Sequence, residues 1–521
     1  MVRIVCGDPE QDRENCQGAT SSTFVLPFRY RLQPSKVCRV DGLCYREIIP
    51  GSGDEQWVER HRYYTRETAE VLFHHARRFR IDAADWRDSL RIPNHYFFST
   101  NETETATESS KLVARLEPPE IVLFDARMDA GIGSEDAELL HTGFLVLRVY
   151  FDTESCDTEE NAPSFNDLLA FNERFRYWRP RYSGHYKDEL KSFFPGLGEG
   201  SEDPALDFFL MRWQSLLLLP FRFADFNPAR CYRFIDPDWT LEAERWLREE
   251  IDGGCSTSKQ SGWIAYSDNR CFLWTHAMTK HGLDDLQAFA REDLVEKPEA
   301  SGHWVKLLNV DMPCENDEST AKTTSFERDW ALPRIYRRWA HWGSVYGFNY
   351  HSGACITPAG DFPLSRTFRR HYFDMILLLL YIRVSIFRIS GRLSQLTGCM
   401  HSMKLEKAEK EFLVLRREFA YFTNLYQFPL VSNQQQMLEM YQIARKQMDL
   451  DDLYKEVEEE IQNTHEYFSI ENANRLNRIL YWVAWIGLLL ALAGVVLTAI
   501  PADSLLCLLG QNFSCFQSAS P

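Results

Sequence analysis

The chain has 521 residues and a mass of 61.0 kDa, too long for one ordinary compact domain, so two or three structural units are expected. Hydrophobic residues at 45% and charged residues at 26% are usual for a folded protein, and 14% aromatics point to large packed interfaces. A formal net charge of -17 excludes a general nucleic-acid binder, which needs a dominant basic face, and makes cations the natural guests of the surface field.

Thirteen cysteines lie scattered from Cys6 to Cys515 without a CxxC pair, a pattern expected in a reducing, cytosolic compartment. The first residues, "MVRIVCGDPEQDRENCQG", lack the apolar stretch of a signal peptide, so attachment to a membrane is expected from the other end.

In chain order, "TFVLPFRYRL" (residues 23–32), "EIVLFDARM" (120–128) and "TGFLVLRVYF" (142–151) read as strands, and "TRETAEVLFHHARRF" (65–79) as a helix between them. The polar stretch at 99–110 reads as a mobile loop. Further on, helices are expected at 164–178 and 240–251, and strands at "GWIAYS", "CFLWTHAM" and "HWVKLLNVD". The pattern is mixed α/β, with no glycine-rich phosphate loop at a strand-to-helix turn.

From about residue 367 the pattern turns helical. The segment at 367–397 is apolar but interrupted by Arg383 and Arg388, as suits a helix buried among other helices. A second helix is expected at about 403–428 and a third from about 432 onward. In the third, Leu453, Val457, Ile461, Thr464, Phe468, Leu476 and Ile479 share one face, the pattern of a coiled-coil stalk. That stalk runs into "ILYWVAWIGLLLALAGVVLTAI" (479–500), which carries no charge and reaches roughly 33 Å at 1.5 Å per residue, enough to cross a bilayer. Arg475 and Arg478 precede it and no Lys or Arg follows, so the positive-inside rule places the large N-terminal part in the cytoplasm.

Along this helix Asn477, Ala484, Ala491 and Thr498 recur every seven residues, a line that continues to Leu505 and Asn512, and Gly487 and Gly494 lie beside it. Such a face lets helices approach closely in lipid, either as a plain packing seam or around an axis where Thr498 and Asn512 offer oxygen rings to a hydrated cation. Pro501 would end or kink the helix, and Asp503 belongs near the interface or an aqueous lumen.

Stalk carboxylates Asp449, Asp451, Asp452, Glu456, Glu458, Glu459 and Glu460 are candidates for holding Mg2+ between subunits, the alternative being a solvated helix face. Two basic, aromatic-rich stretches offer candidates for a phosphate or a stacked base: Arg174, Arg176, Arg179 and Arg181 in the first, Arg334, Arg337 and Arg338 in the second. Their other reading is arginine stems packed over the core. The histidines at 74, 75, 341, 351, 371 and 401 have no acid or cysteine at ligand spacing, and no nucleophile motif occurs, so neither a zinc site nor an enzyme is expected.

An α/β domain, long helices, an acidic stalk running into the membrane and a Gly-x-Asn beyond the span together resemble the CorA family of magnesium channels. That family's "YGMNF" is matched by "LGQNF" (509–513), with Pro501 upstream. The resemblance implies that Gly510 and Asn512 take the ends of the signature, with Gln511 in place of its Met. It implies a pentameric homo-oligomer that passes Mg2+. The stretches "RWAHWGSVYGFNYHSGACI", "YFDMILLLLYIRVSIFRISGRLS" and "LYQFPLVSNQQQMLEMYQ" are similar to bacterial CorA-like proteins, some of them associated with CRISPR defence. That branch implies a cytosolic part that senses a nucleotide messenger. A CorA protomer has two spans, whereas nine residues follow Asn512, so both a pore and a plain anchor remain open.

The expected fold class is therefore an α+β cytosolic domain followed by a long α-helical stalk and a C-terminal transmembrane helix. The boundaries are a domain at 1–360, a stalk region at 361–478, a span at 479–500 that can extend to 509, and an external tail at 501–521. The leading expected function is a divalent cation channel gated by its cytosolic domain. The alternative is a membrane-anchored defence effector that perturbs the membrane. Expected partners are membrane lipid, further copies of the chain and a nucleotide messenger, with no nucleic acid.

Overall fold

The computed structural model describes residues 4–5, 19–31, 37–40, 43–48, 55–81, 96–99, 111–124, 141–151, 163–176, 263–266, 270–279, 299–311, 324–358, 362–399, 405–426 and 430–499. They fall into two compact units, Met1–Gly391 with Glu418–Leu453, and Arg392–Arg417 with Tyr454–Pro521.

The first unit begins with β1 (Ser21–Arg31), β2 (Val37–Val40) and β3 (Leu43–Glu47), then α1 (Glu55–Tyr63) and α2 (Arg66–Ala69), which continues as a π-helical turn over Glu70–His75. Next come β4 (Arg77–Ile81), β5 (Tyr96–Ser99), β6 (Lys111–Leu116), β7 (Glu120–Leu123), β8 (His141–Phe151) and α3 (Phe165–Phe175). They are followed by β9 (Trp263–Tyr266), β10 (Phe272–Thr279), α4 (Glu299–Asn309), α5 (Thr324–Ala331), β11 (Ile335–Tyr336), β12 (Val345–Phe348), β13 (Ser352–Pro358) and α6 (Phe362–Thr367). A second π turn, Phe368–Tyr372, leads into α7 (Phe373–Cys399), and α8 (Leu405–Tyr426), α9 (Gln435–Gln447) and α10 (Leu450–Ala499) complete the order.

Among the described residues thirteen strands form one sheet, ordered β11-β12-β13-β10-β1-β8-β7-β4-β3-β2, with β9 on β1, β6 on β8 and β5 on β6. Only β10 and β13 pair in parallel within that described sheet. The central strand explains itself: Phe24, Val25, Leu26 and Phe28 are all buried, so β1 is covered on both faces and shows no polar alternation. On one face Phe24 meets Phe171 of α3 edge-on, and Ser22 donates to Asn172 Oδ1 at 2.7 Å. On the other, Trp274 of β10 stacks on Phe368 at 4.1 Å and donates from Nε1 to the Phe368 carbonyl, while Phe124 stacks on Tyr381 of α7 at 4.3 Å. A Cβ on Gly353 would stand 2.3 Å from the Trp274 ring, so β13 passes that indole only because the position has no side chain. The start of α3 carries a capping box, Asp167 N–H donating to Ser164 Oγ and Ser164 N–H to Asp167 Oδ2.

Three expectations need correction. Residues 303–311, read as a strand, lie mostly in α4. Trp304, Leu307 and Leu308 are buried at helical spacing with Lys306 half-exposed between them, and the helix stops at Val310, whose φ of 58° is left-handed. The helix read over 65–79 ends at His75, and Arg77–Ile81 is β4, paired with β3 and β7. The third long helix is interrupted: α9 ends at Gln447, and Asp449 at φ 54° turns the chain before α10 begins. The strands read at 23–32, 142–151, 262–267 and 271–278 correspond to β1, β8, β9 and β10, and that at 120–128 to the shorter β7. The helix expected at 240–251 and the loop at 100–110 lie outside the described residues.

In the second unit Phe412 of α8 packs on Phe468 of α10 at 5.2 Å, and Val457 and Ile461 of α10 are buried with it. Asn472 donates to Glu409 at 2.6 Å and Arg475 to Glu406 at 2.6 Å. The stalk face read from the sequence is buried at Val457, Ile461 and Phe468 and emerges by Leu476, which is 59% exposed.

Candidate functional site

α10 is one helix of 50 residues, about 75 Å at 1.5 Å per residue. Beyond Asn472 every described side chain is exposed, including Leu480, Trp482, Ile486, Leu490 and Val495 at more than half of their surface. A helix apolar on all sides and outside its own protein's core matches a lipid environment, not water. It is the one described helix long and apolar enough to cross a membrane. Tyr481, Trp482 and Trp485 cluster just after Arg475 and Arg478, as at a membrane–water interface, a signal that the apolar count alone passes over.

The seven-residue line is present on this helix. Asn477, Ala484 and Ala491 are exposed, and a Cβ placed on Gly487 or Gly494 would meet nothing within 4 Å among the described residues beyond the helix's own neighbouring backbone. Thr498 falls within α10 near its end, and Gly510, Gln511 and Asn512 lie outside the described residues.

The stalk carboxylates do not converge. Asp449, Asp451, Asp452, Glu456, Glu458 and Glu459 are exposed, Glu460 is half-buried, and Asp451 accepts from Arg445 Nε at 2.7 Å. Among the described residues no group of three or more His, Cys, Asp or Glu stands close enough to hold a metal ion.

The arginine candidates are separated. Arg176 is buried and donates to the Asn309 carbonyl at 2.8 Å, capping the end of α4, while Arg174 lies in α3 and Arg179 and Arg181 fall outside the described residues. Arg334 lies over the Trp330 ring at 4.1 Å and donates to its carbonyl, and burial lowers its pKa. Arg338 holds both Glu439 oxygens at 2.9 and 3.0 Å, and Tyr336 donates to the same carboxylate at 2.5 Å. Arg337, between them, is exposed.

A different constellation is assembled in the first unit. Asp374, fully buried at the head of α7, accepts two guanidiniums: Arg60 from α1 at 2.6–2.9 Å and Arg78 from β4 at 2.8 Å. Arg78 also reaches Glu120 of β7 at 3.3 Å, and Arg148 of β8 closes on the other Glu120 oxygen at 2.9 Å. Arg369 pairs with Glu117 beside them. Burial works against ionisation of both carboxylates, but the surrounding guanidiniums outweigh it. Arg148 and Arg78 draw Glu120 down to about 2, and Arg60 and Arg78 hold Asp374 below the usual carboxylate range. Five elements are thus tied at one buried point, and losing one partner would leave an uncompensated charge there. His276 of β10, hydrogen-bonded to Thr357 at 2.9 Å, is pushed down to about 3 by burial and by Arg369.

The fold and site define an α/β-sheet protein with, among the described residues, one helix long and apolar enough to cross a membrane. Comparison with protein-family models, with curated proteins and with solved structures finds no match.

Proposed function

We propose that the chain is a membrane-anchored homo-oligomer whose C-terminal helices gather around an axis and pass a divalent cation, Mg2+ before others, under the control of the sheet-bearing unit. The observation that carries this reading is α10, a single helix that packs along its stalk face and then becomes apolar on every side. In lipid such a helix gains from close packing against copies of itself, and the face formed by Ala484, Gly487, Ala491 and Gly494 is the one that permits close approach. The acidic stalk supplies the field that concentrates cations near that axis. Arg475 and Arg478 before the apolar stretch support a cytoplasmic sheet-bearing unit under the positive-inside rule.

The sensor reading has less support, since Arg176, Arg334 and Arg338 are engaged by Asn309, Trp330 and Glu439 at three separate places. Reconstitution of the full chain into liposomes holding a Mg2+ indicator tests the proposal. Uptake by an oligomeric preparation is the expected result. An oligomer that leaves the vesicles tight to Mg2+ would overturn it, and leakage only upon adding a cyclic oligonucleotide would favour the effector.

A further inference from the structure

His371 is 3% exposed, and among the described residues neither Nδ1 nor Nε2 has a hydrogen-bond partner. Leaving a buried polar group unpaired costs about 1–3 kcal/mol, so an imidazole kept this way calls for a reason. The ring sits in the π turn Phe368–Tyr372, a helical irregularity of a kind often found at functional positions, two residues before the start of α7. It lies 4.6 Å from the Tyr63 ring at the end of α1. The same seam is closed by the Tyr64 hydroxyl donating to the His371 carbonyl, by Ser432 Oγ donating to the Tyr63 carbonyl at 2.5 Å, and by Tyr63 and Tyr372 hydroxyls 3.5 Å apart.

The charged neighbours leave a second ring proton without an acceptor. Asp374 is already filled by Arg60 and Arg78, and Glu59 is paired with Arg366 at 3.1 Å. Arg60 and Arg370 add like charge, and the remaining titratable neighbours, Tyr63, Tyr64 and Tyr372, carry hydroxyls raised by burial.

We propose that His371 is a proton-operated latch: the neutral ring seals the seam between the end of α1 and the π turn, and the imidazolium, finding no acceptor, leaves it and opens that seam. Burial lowers the affinity of the closed state for the proton, with Arg60 and Arg370 in the same sense and Asp374 and Glu59 only partly opposing. The open state therefore binds the proton more readily, and closure present above pH 6.5 is lost as the pH falls below it. Asp374 and Glu120 stay ionised there because both are held below the ordinary carboxylate range, so the ionic cluster remains while the seam opens.

Hydrogen exchange of the full chain in detergent, corrected for intrinsic rates, tests this between pH 7.5 and 5.5. Protection of the peptides covering residues 58–65 and 368–376 is expected to fall by up to about tenfold per pH unit. In His371→Phe, which keeps an aromatic ring without a proton site, it is expected to stay flat. Equal pH dependence in the variant would overturn the proposal. Should His371→Phe not fold, the native chain decides: loss confined to those two segments supports the latch. No loss, or loss spread equally over β10 around His276, overturns it.

Discussion

Arg78 Nη2 donates to Asp374 Oδ1 at 2.8 Å across 296 positions of sequence, joining the sheet to the head of α7. Replacing Asp374 with Asn removes the charge while keeping the shape, so Arg60 and Arg78 remain buried against a neutral amide. A loss of about 3–5 kcal/mol is expected. The urea midpoint of the detergent-solubilised chain measures it, with an unchanged slope.

Acid sensitivity follows from two buried groups of opposite type. His276 has a folded pKa of about 3 against an ordinary 6.5, so the unfolded chain binds the proton more readily and stability falls as pH drops through that interval. Glu120, at about 2 against 4.5, contributes stability above pH 4.5 that is lost as pH falls towards 2. Urea midpoints at successive pH values are expected to decline from 6.5 downward, and His276→Gln is expected to flatten the part of that slope lying above pH 4.5.

Gly353→Ala puts a methyl 2.3 Å from the Trp274 ring, which is itself stacked on Phe368 and hydrogen-bonded to its carbonyl. The indole has no free direction in which to yield. Destabilisation of about 1–3 kcal/mol is expected from thermal or urea unfolding, as for other overpacked cores.

Leu488→Arg places a charge near the middle of the apolar stretch, at a cost of about 2.5–3.5 kcal/mol for insertion. Carbonate-washed membranes are expected to retain the native chain and to lose much of the variant. Equal retention would mean that residues 479–500 do not cross the bilayer.

Elements with a dense, unmistakable pattern were legible in the sequence. β1, β8 and β10 are long runs of β-branched and aromatic residues, and α10 follows from its spacing and its uncharged end. Residues 303–311 misled because Trp304, Val305, Leu307 and Leu308 form a short apolar run that suits a buried strand as well as a buried helix. β4 was hidden because "RRFRI" follows a helical stretch with a single intervening residue. The ionic cluster left no local trace at all: Arg60, Arg78, Glu120, Arg148 and Asp374 are ordinary surface-type residues, and only the sheet order brings them together. The arginine-rich stretches were visible, but whether an arginine is available depends on a distant partner such as Glu439 or Asn309.

The central claim is that α10 crosses the membrane and meets its own copies along the small-residue face. Single cysteines introduced as Ala484→Cys, Gly487→Cys and Ala491→Cys, against Trp482→Cys, Ile486→Cys and Leu489→Cys on the opposite face, test this by oxidative cross-linking in native membranes with the natural cysteines replaced. The account predicts disulfide-linked dimers from the first three and none from the second. Cross-linking without regard to face, or from the large-residue face alone, would contradict it.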